Sequence, residues 1–189
     1  MPSVDLTLPG LDRPVAPLGV GTWAWGDKNT WGMGGYDGSL TETTIAAAWE
    51  ASIEAGATIF DTADVYGGGE SERIIGGQLA ADPGRRDQVT IATKFMPSPW
   101  KVDVRSALRS ALEGSLERLG IDTVDLYQIH GPISLRSHKA MAEALAAVHD
   151  AGLVHAVGVS NYSVKEMRSI HTELAVRDIP LASNQIEFS

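Results

Sequence analysis

Four polar side chains follow short apolar runs in the sequence, and their types suit proton transfer. Asp61 and Lys94 end two of these runs, His130 ends a third, and Tyr66 follows Asp61 by five positions. A tyrosine is a poor proton donor near neutral pH because its ordinary pKa is about 10. A nearby ammonium stabilises the phenolate and lowers that pKa. The pattern therefore predicts that Lys94 activates Tyr66 as an acid.

Asp61 and His130 complete this chemistry. A buried lysine needs a counter-charge, which predicts an ion pair between Lys94 and Asp61. A histidine at the next strand end is suited to orient a carbonyl oxygen through a hydrogen bond. No side chain is a good hydride source, so a reduction at this site requires a nicotinamide cofactor.

The elements that must position these residues are six apolar runs separated by amphipathic segments. The runs are nearly continuous in apolar character, as in strands that are buried on both faces. The predicted strands are Leu18–Gly21, Thr58–Asp61, Val89–Lys94, Val124–His130, Val154–Val159 and Ala182–Ile186.

Apolar residues at helical spacing predict five helices between the strands. The first carries Ile45, Trp49 and Ile53 behind Ser39-Leu-Thr-Glu42, which has the pattern of a capping box. A second capping box, Ser163-Val-Lys-Glu166, predicts the start of the last helix. The other helices are predicted around residues 71–79, 108–119 and 141–148.

Alternation of six strands and five helices predicts an α/β domain over residues 1–189, with a parallel sheet and right-handed crossovers. Two architectures fit this pattern, a doubly wound sheet and a (β/α)8 barrel. In a barrel the carboxyl ends of all strands share one rim, where active sites lie. The segment Asp5–Val15 contains a Pro-Gly turn and predicts a small hairpin before the first strand.

The stretch Gly19-Val-Gly21-Thr-Trp-Ala24 formally matches a dinucleotide-binding fingerprint. That fingerprint requires a helix to open at its glycines, so that the helix N-terminus holds a pyrophosphate. A Gly- and Trp-rich segment, Gly26–Gly38, follows instead and predicts a long loop. We therefore reject a Rossmann fold.

Composition narrows the function classes further. The 189 residues include 15 Lys plus Arg and 24 Asp plus Glu, a formal net charge of −9. This balance argues against a nucleic-acid partner or an acidic membrane surface. No apolar run approaches the length of a membrane span, and no secretory signal precedes the domain. The sequence has no cysteine, which predicts a cytoplasmic, reducing location, and its scattered histidines predict no metal site.

Several stretches together resemble the aldo-keto reductases, a family of NADPH-dependent carbonyl reductases built on a (β/α)8 TIM barrel. The Trp-Ala-Trp-Gly-Asp stretch from Trp23 is also similar to a plant and bacterial subgroup that includes pyridoxal reductases. The matching stretches are Gly19-Val-Gly21-Thr-Trp23, Phe60-Asp-Thr-Ala-Asp-Val-Tyr66-Gly67, Ile91-Ala-Thr-Lys94, Asp125-Leu-Tyr-Gln-Ile-His130, Gly158-Val-Ser-Asn161 and Asn184-Gln185-Ile-Glu-Phe188.

The resemblance implies a role for each matching residue. Tyr66 would protonate the carbonyl oxygen, Lys94 paired with Asp61 would lower the pKa of Tyr66, and His130 would orient the carbonyl. The positions implied at the NADPH nicotinamide and its ribose are Gly21, Thr22, Asp61, Ser160, Asn161 and Gln185. The positions implied to wall the substrate pocket are Trp23, Trp25 and Trp31.

The sequence departs from the family pattern in carrying six β/α units, with strands 7 and 8 absent. The resemblance therefore predicts an incomplete, C-terminally truncated barrel without the residues that grip the adenosine phosphates. Six strands do not close in the usual geometry, and open strand edges favour association with another chain or copy. Two hypotheses follow: an NADPH-dependent reductase of small aldehydes or ketones, or an inactive half-barrel that needs a partner chain or self-association.

Overall fold

The computed structural model describes residues 6–26 and 39–187, in which short parallel strands alternate with helices. The strands are β1 Gly19–Gly21, β2 Ile59–Asp61, β3 Thr90–Phe95, β4 Val124–Ile129, β5 Val154–Ser160 and β6 Leu181–Gln185. The α-helices are α1 Glu42–Glu54, α2 Glu70–Ala81, α3 Val104–Leu119, α4 His138–Asp150 and α5 Val164–Ala175. Two 3-10 segments, Tyr66–Gly69 and Pro83–Gln88, flank α2.

The six described strands form one sheet in the order β1-β2-β3-β4-β5-β6, with every neighbouring pair parallel. This sequential order is that of a barrel and excludes the doubly wound alternative, in which the strand order reverses. The sheet curls into a half-barrel, and the Gln185 amide of β6 donates to the Asp61 carboxylate of β2 at 3.0 Å. Within the described residues β1 and β6 do not pair with each other. The fold class predicted from the sequence is confirmed.

No helix opens at the glycines of the formal dinucleotide fingerprint. Gly19 and Gly21 lie within β1, and a turn at Trp23 to Gly26 follows the strand. The structure therefore agrees with the rejection of a Rossmann fold.

The helix starts agree with the sequence at one capping box and differ at the other. Ser163 caps α5, and the Glu166 side chain accepts from the Ser163 backbone N–H at 2.9 Å, as predicted. The box predicted at Ser39 is wrong, because Thr41 is the N-cap of α1. The Thr41 N–H donates to the Thr44 hydroxyl at 2.8 Å, so a threonine at N3 takes the place of the expected glutamate.

Alternation along the strands sends neighbouring side chains to opposite faces of the half-barrel. Phe60 and Phe95 belong to the large core between sheet and helices. Their neighbours Asp61 and Lys94 point to the concave side, which we call the lumen. Asp61 lines a lumen groove of about 320 Å³. This parity places Asp61 and Lys94, two of the predicted proton-transfer residues, in one compartment.

The amino-terminal segment covers the floor of the lumen. Leu6 and Val15 form an antiparallel bridge with two backbone hydrogen bonds of 2.8 Å, so the predicted hairpin is present as a single bridge. Between them, Leu8 and Leu11 pack against the lumen-facing Ala92 of β3, in a small cluster that includes β4 and β5 residues. No helix in the described part of the chain has the length and apolar character to cross a bilayer.

Candidate active site

A buried ion pair lies at the carboxyl end of β2 and β3. The Lys94 Nζ donates to Asp61 Oδ2 at 2.7 Å and to the Thr62 carbonyl at 2.8 Å. The Lys94 side chain is only 2% exposed, whereas Asp61 is 19% exposed. Burial lowers the pKa of Lys94, and the Asp61 carboxylate opposes that shift. The structure thus pairs the two residues as the sequence predicted.

The Tyr66 hydroxyl lies between the lysine and the histidine. It is 3.4 Å from Lys94 Nζ and 3.5 Å from His130 Nε2. The histidine ring meets the tyrosine ring edge-on, with centroids 5.4 Å apart. Residues that follow or end three different strands, β2, β3 and β4, therefore converge at one phenolic oxygen.

The turn after Tyr66 consists of three glycines with left-handed backbone conformations. Gly67, Gly68 and Gly69 have φ of 57°, 65° and 90°, which side chains other than glycine rarely adopt. A Cβ on Gly69 would approach the Arg118 side chain to 2.7 Å, so the turn is also closely packed. This turn links Tyr66 to the start of α2 at Glu70.

The acid–base groups of the site are held in their neutral forms near pH 7, apart from the ion pair. Burial, followed by the Lys94 charge, lowers the pKa of His130 to about 4, so its imidazole is neutral. Burial and the Asp61 charge raise the pKa of Tyr66. This direction is opposite to the one expected from Lys94, because Asp61 offsets the ammonium and the phenol is desolvated. Tyr66 therefore keeps its proton in this structure.

The residues assigned to the nicotinamide lie at the ends of β5 and β6. Asn161 has a positive φ of 57°, and its N–H donates to the Gln185 carbonyl at 2.8 Å. Its side chain donates to Ser160 Oγ at 3.3 Å. Because Gln185 also donates to Asp61, these amides stand beside the ion pair.

Gly21 and Thr22 differ in what they offer to a ligand. Gly21 is exposed at the end of β1, and a Cβ there would meet no atom within 4 Å. The Thr22 side chain is fully buried and donates to the Asp61 carbonyl at 2.9 Å, with Ser71 Oγ 2.7 Å away. The Thr22 hydroxyl therefore holds the end of β2 in place. The Thr22 backbone is engaged as well, since its N–H donates to the Asp61 carbonyl at 2.9 Å and its carbonyl accepts from Ser71 Oγ at 2.9 Å.

The three predicted pocket tryptophans have different outcomes. Trp23 stacks on Tyr66 with ring centroids 6.0 Å apart and an interplanar angle of 23°. Trp25 is 5% exposed and packs in the core against Phe60, so the structure corrects its predicted substrate role to a packing role. Trp31 lies outside the described residues.

Sequence reasoning assigned no role to two acidic residues close to the site. Glu72 is fully buried and accepts from Arg118 Nε at 2.7 Å and from Thr93 Oγ1 at 2.6 Å. Asp64 lies between Asp61 and Tyr66, and one of its carboxylate oxygens is buried without a hydrogen-bond partner. The signal for Asp64 was its position inside the Asp61–Tyr66 motif.

Comparison with known proteins identifies the family of this chain. The aldo/keto reductase family model matches residues 17–189. The chain is 37% identical over 187 residues to the chloroplastic pyridoxal reductase of Arabidopsis thaliana, covering 93% of this chain and 49% of that protein. It is 37% identical over 176 residues to the aldo-keto reductase YhdN of Bacillus subtilis, covering 90% of this chain and 50% of that protein.

A solved structure of similar fold is an aldo-keto reductase from Klebsiella pneumoniae in complex with NADPH. It superposes with a TM-score of 0.77 at 26% identity, covering 100% of this chain and 59% of that chain. This match agrees with the parallel half-barrel described above. The chain belongs to the aldo/keto reductase family. It spans about half the length of the curated relatives it matches.

Proposed function

We propose that this chain carries the catalytic residues of an NADPH-dependent reductase that converts an aldehyde or ketone to an alcohol. The observation that supports this most directly is the Tyr66 hydroxyl within 3.5 Å of both Lys94 Nζ and His130 Nε2. A proton donor must touch the oxygen that develops negative charge, and it must be supplied with hydrogen-bond partners that orient it.

Each residue of the set has a distinct part in the proposal. Tyr66 is the general acid that protonates the carbonyl oxygen. Lys94 stabilises the phenolate that remains, and Asp61 holds Lys94 charged and in place. His130 donates from Nε2 to the substrate oxygen, which its neutral imidazole permits. Trp23, stacked beside Tyr66, forms a wall for the substrate.

The residues present fit the nicotinamide end of NADPH. A carboxamide needs paired donors and acceptors, and the Asn161 and Gln185 amides, with Ser160, provide both next to the acid. Exposed Gly21 permits close approach at the opposite edge. When bound, the reduced nicotinamide supplies the hydride. The sequence has no cysteine, which fits the cytoplasm as the location of this activity.

The test is a titration of this 189-residue chain with NADPH, followed by nicotinamide fluorescence, with a small aldehyde then added at saturation. Binding and oxidation would support the proposal. Folded protein that neither binds nor oxidises NADPH would contradict the proposal for this chain and favour the alternative, a half-barrel that acts only with a partner chain. Size-exclusion chromatography on the same sample distinguishes a monomer from a self-associated form.

A further inference from the structure

Asp64 connects the turn that carries Tyr66 to the strand that carries Lys94. Its backbone N–H donates to the Lys94 carbonyl at 3.2 Å. Its side-chain Oδ2 accepts from the Met96 N–H at 3.3 Å. The two bonds join the turn to β3 and to the residue that follows β3, on either side of Phe95. Asp64 therefore helps to set the relative positions of Tyr66 and Lys94, beside the bonds that Lys94 Nζ makes to Asp61 and to the Thr62 carbonyl.

The second oxygen of the same carboxyl group has no hydrogen-bond partner. Asp64 Oδ1 is buried and accepts no donor from the described residues. The opposing charges nearby are already engaged. Lys101 Nζ donates to the Met96 carbonyl at 2.7 Å, and Arg118 donates to Glu72 at 2.7 Å. A buried acceptor of this kind is costly, and native structures retain few of them.

The charged and titratable groups that face Asp64 come from every neighbouring element. They are Lys101 after β3, Arg118 on α3, Glu72 on α2, Lys94 on β3 and Tyr127 on β4. Burial, countered by the Met96 N–H and by Lys101, raises the pKa of Asp64 to about 6. The Asp64 charge in turn raises the pKa of Lys94. Asp64 therefore changes its charge near pH 6, and this change alters the pKa of Lys94 in the ion pair.

Ionisation has two consequences for the site. A charged acceptor forms a stronger hydrogen bond than a neutral one, so the ionised carboxylate holds the Met96 N–H more firmly. The same charge adds to that of Asp61 in keeping Lys94 protonated. Protonation of Asp64 weakens both effects.

We propose that Asp64 is a positioning residue of the site, which holds the turn carrying Tyr66 against the end of β3 and does so most firmly when ionised. The catalytic part of this inference rests on the proposed reductase function. The structural part does not, because it concerns contacts of the protein alone.

The structural part is tested by NMR without nucleotide. The Met96 amide shift of the parent chain is followed from about pH 4.5 to 8, and a step centred near pH 6 is expected. Asp64→Asn should abolish that step. The matched control is Asp82→Asn, since Asp82 Oδ1 accepts the Gly84 N–H at 3.1 Å on the surface, and this variant should keep the step. A flat Met96 profile in the parent, or a step that survives in Asp64→Asn, would overturn the proposal.

The same samples report on the ion pair. With ¹³C-labelled lysine, Lys94 should titrate at lower pH in Asp64→Asn than in the parent and unchanged in Asp82→Asn. A Lys94 titration that is unaltered by Asp64→Asn would contradict the coupling. Because both readouts come from folded protein without turnover, they decide the structural part even if NADPH oxidation fails.

The kinetic readout is the ratio of the parent kcat to the kcat of Asp64→Asn. We expect this ratio to rise about tenfold between roughly pH 5 and 7.5, since a misplaced acid lowers the rate of a step that depends on orientation. The KM for the carbonyl should change less than about twofold, because Asp64 does not touch substrate in the proposal. A ratio that stays near one across this range, with NADPH oxidation intact, would refute the positioning role while leaving the reductase proposal standing.

Discussion

The two ends of the sheet bury charge in different ways. At the amino end, Asp125 accepts from Arg86 Nη1 at 2.9 Å and from the Ile91 N–H at 2.7 Å, and it also faces Arg13 at 3.4 Å. Both arginines donate further to backbone carbonyls. At the carboxyl end, Asp61 is the only carboxylate among the described residues that bonds to Lys94.

Unpartnered polar atoms distinguish Asp125 from the groups at the carboxyl end. At the carboxyl end, His130 Nδ1 and Asp64 Oδ1 are buried without hydrogen-bond partners in the described structure. Asp125 has no such atom. Proteins satisfy nearly all buried polar groups, so exceptions need a reason. The comparison teaches that both oxygens of Asp125 are satisfied at the amino end, whereas Asp64 at the carboxyl end keeps one buried oxygen without a partner in the described structure.

The largest effect should come from the acid at the carboxyl end. We expect Tyr66→Phe to lower kcat for carbonyl reduction by at least about 10²-fold, because it removes the proton donor and keeps the ring. The affinity for NADPH should change little, since the hydroxyl faces the substrate. Stopped-flow or steady-state NADPH oxidation measures kcat, and fluorescence titration measures the affinity for NADPH. Near-parental turnover would show that another group is the acid.

Substituting one carboxylate at each end of the sheet tests whether the two ends differ in their contribution to stability. Asp61→Asn should lower the free energy of unfolding by about 3 kcal/mol, because Lys94 is left buried without its counter-charge. Asp125→Asn should cost less, about 1 to 2 kcal/mol, because Arg13 and Arg86 are 33% and 26% exposed and reach water. Urea unfolding of both variants at one pH measures the difference. Equal losses of unfolding free energy in the two variants would mean that the exposure of the partner cation does not set the cost of removing the carboxylate.

The pH dependence of Asp61→Asn has a definite sign. Without its counter-charge, Lys94 binds a proton more weakly in the folded chain than in the unfolded chain. The free energy of unfolding of the Asp61→Asn variant should therefore decrease as pH falls, more steeply than that of the parent chain.

A neutral histidine should make the carboxyl end sensitive to acid. The pKa of His130 is lowered to about 4 by burial and Lys94, against about 6.5 when unfolded. The unfolded chain binds the proton first, so this group's contribution is complete above about pH 6.5 and is lost as pH falls towards 4. The imidazole ¹⁵N shifts of His130 at pH 6 should be those of a neutral ring. Shifts of a protonated ring at pH 6 would show that His130 is not held neutral at the carboxyl end.

The smallest effect is expected at the amino end. Arg13→Ala should lower the free energy of unfolding by about 1 kcal/mol, because a partly exposed arginine loses its bonds to two carbonyls and Asp125. It should leave the Met96 and Lys94 titrations and any turnover unchanged. A shift of either titration would show that the two ends of the sheet are coupled.

The strands were predictable because their signal is local. Strands buried on both faces are continuous apolar runs, and each predicted strand overlaps an observed one. The proton-transfer residues were identifiable because they end such runs, and parallel strands bring their carboxyl ends to one rim. The box at Ser163 was predictable for the same reason, since a cap involves only four consecutive residues.

Other features depended on contacts that no local pattern contains. Trp25 and Trp23 are separated by one residue in the same segment, yet one packs into the core on Phe60 and the other stacks on Tyr66.

The sequence by itself determined the order of elements and the four residues at the rim, because periodicity and strand ends encode them. Periodicity left a doubly wound sheet and a barrel both open, and the observed strand order decided between them. Only the tertiary structure decided the protonation states and the role of Asp64. A pKa depends on burial and on charges brought together from β2, β3 and α2, and burial exists only once those elements pack. The raised pKa of Tyr66 follows from that packing, where sequence alone pointed the other way.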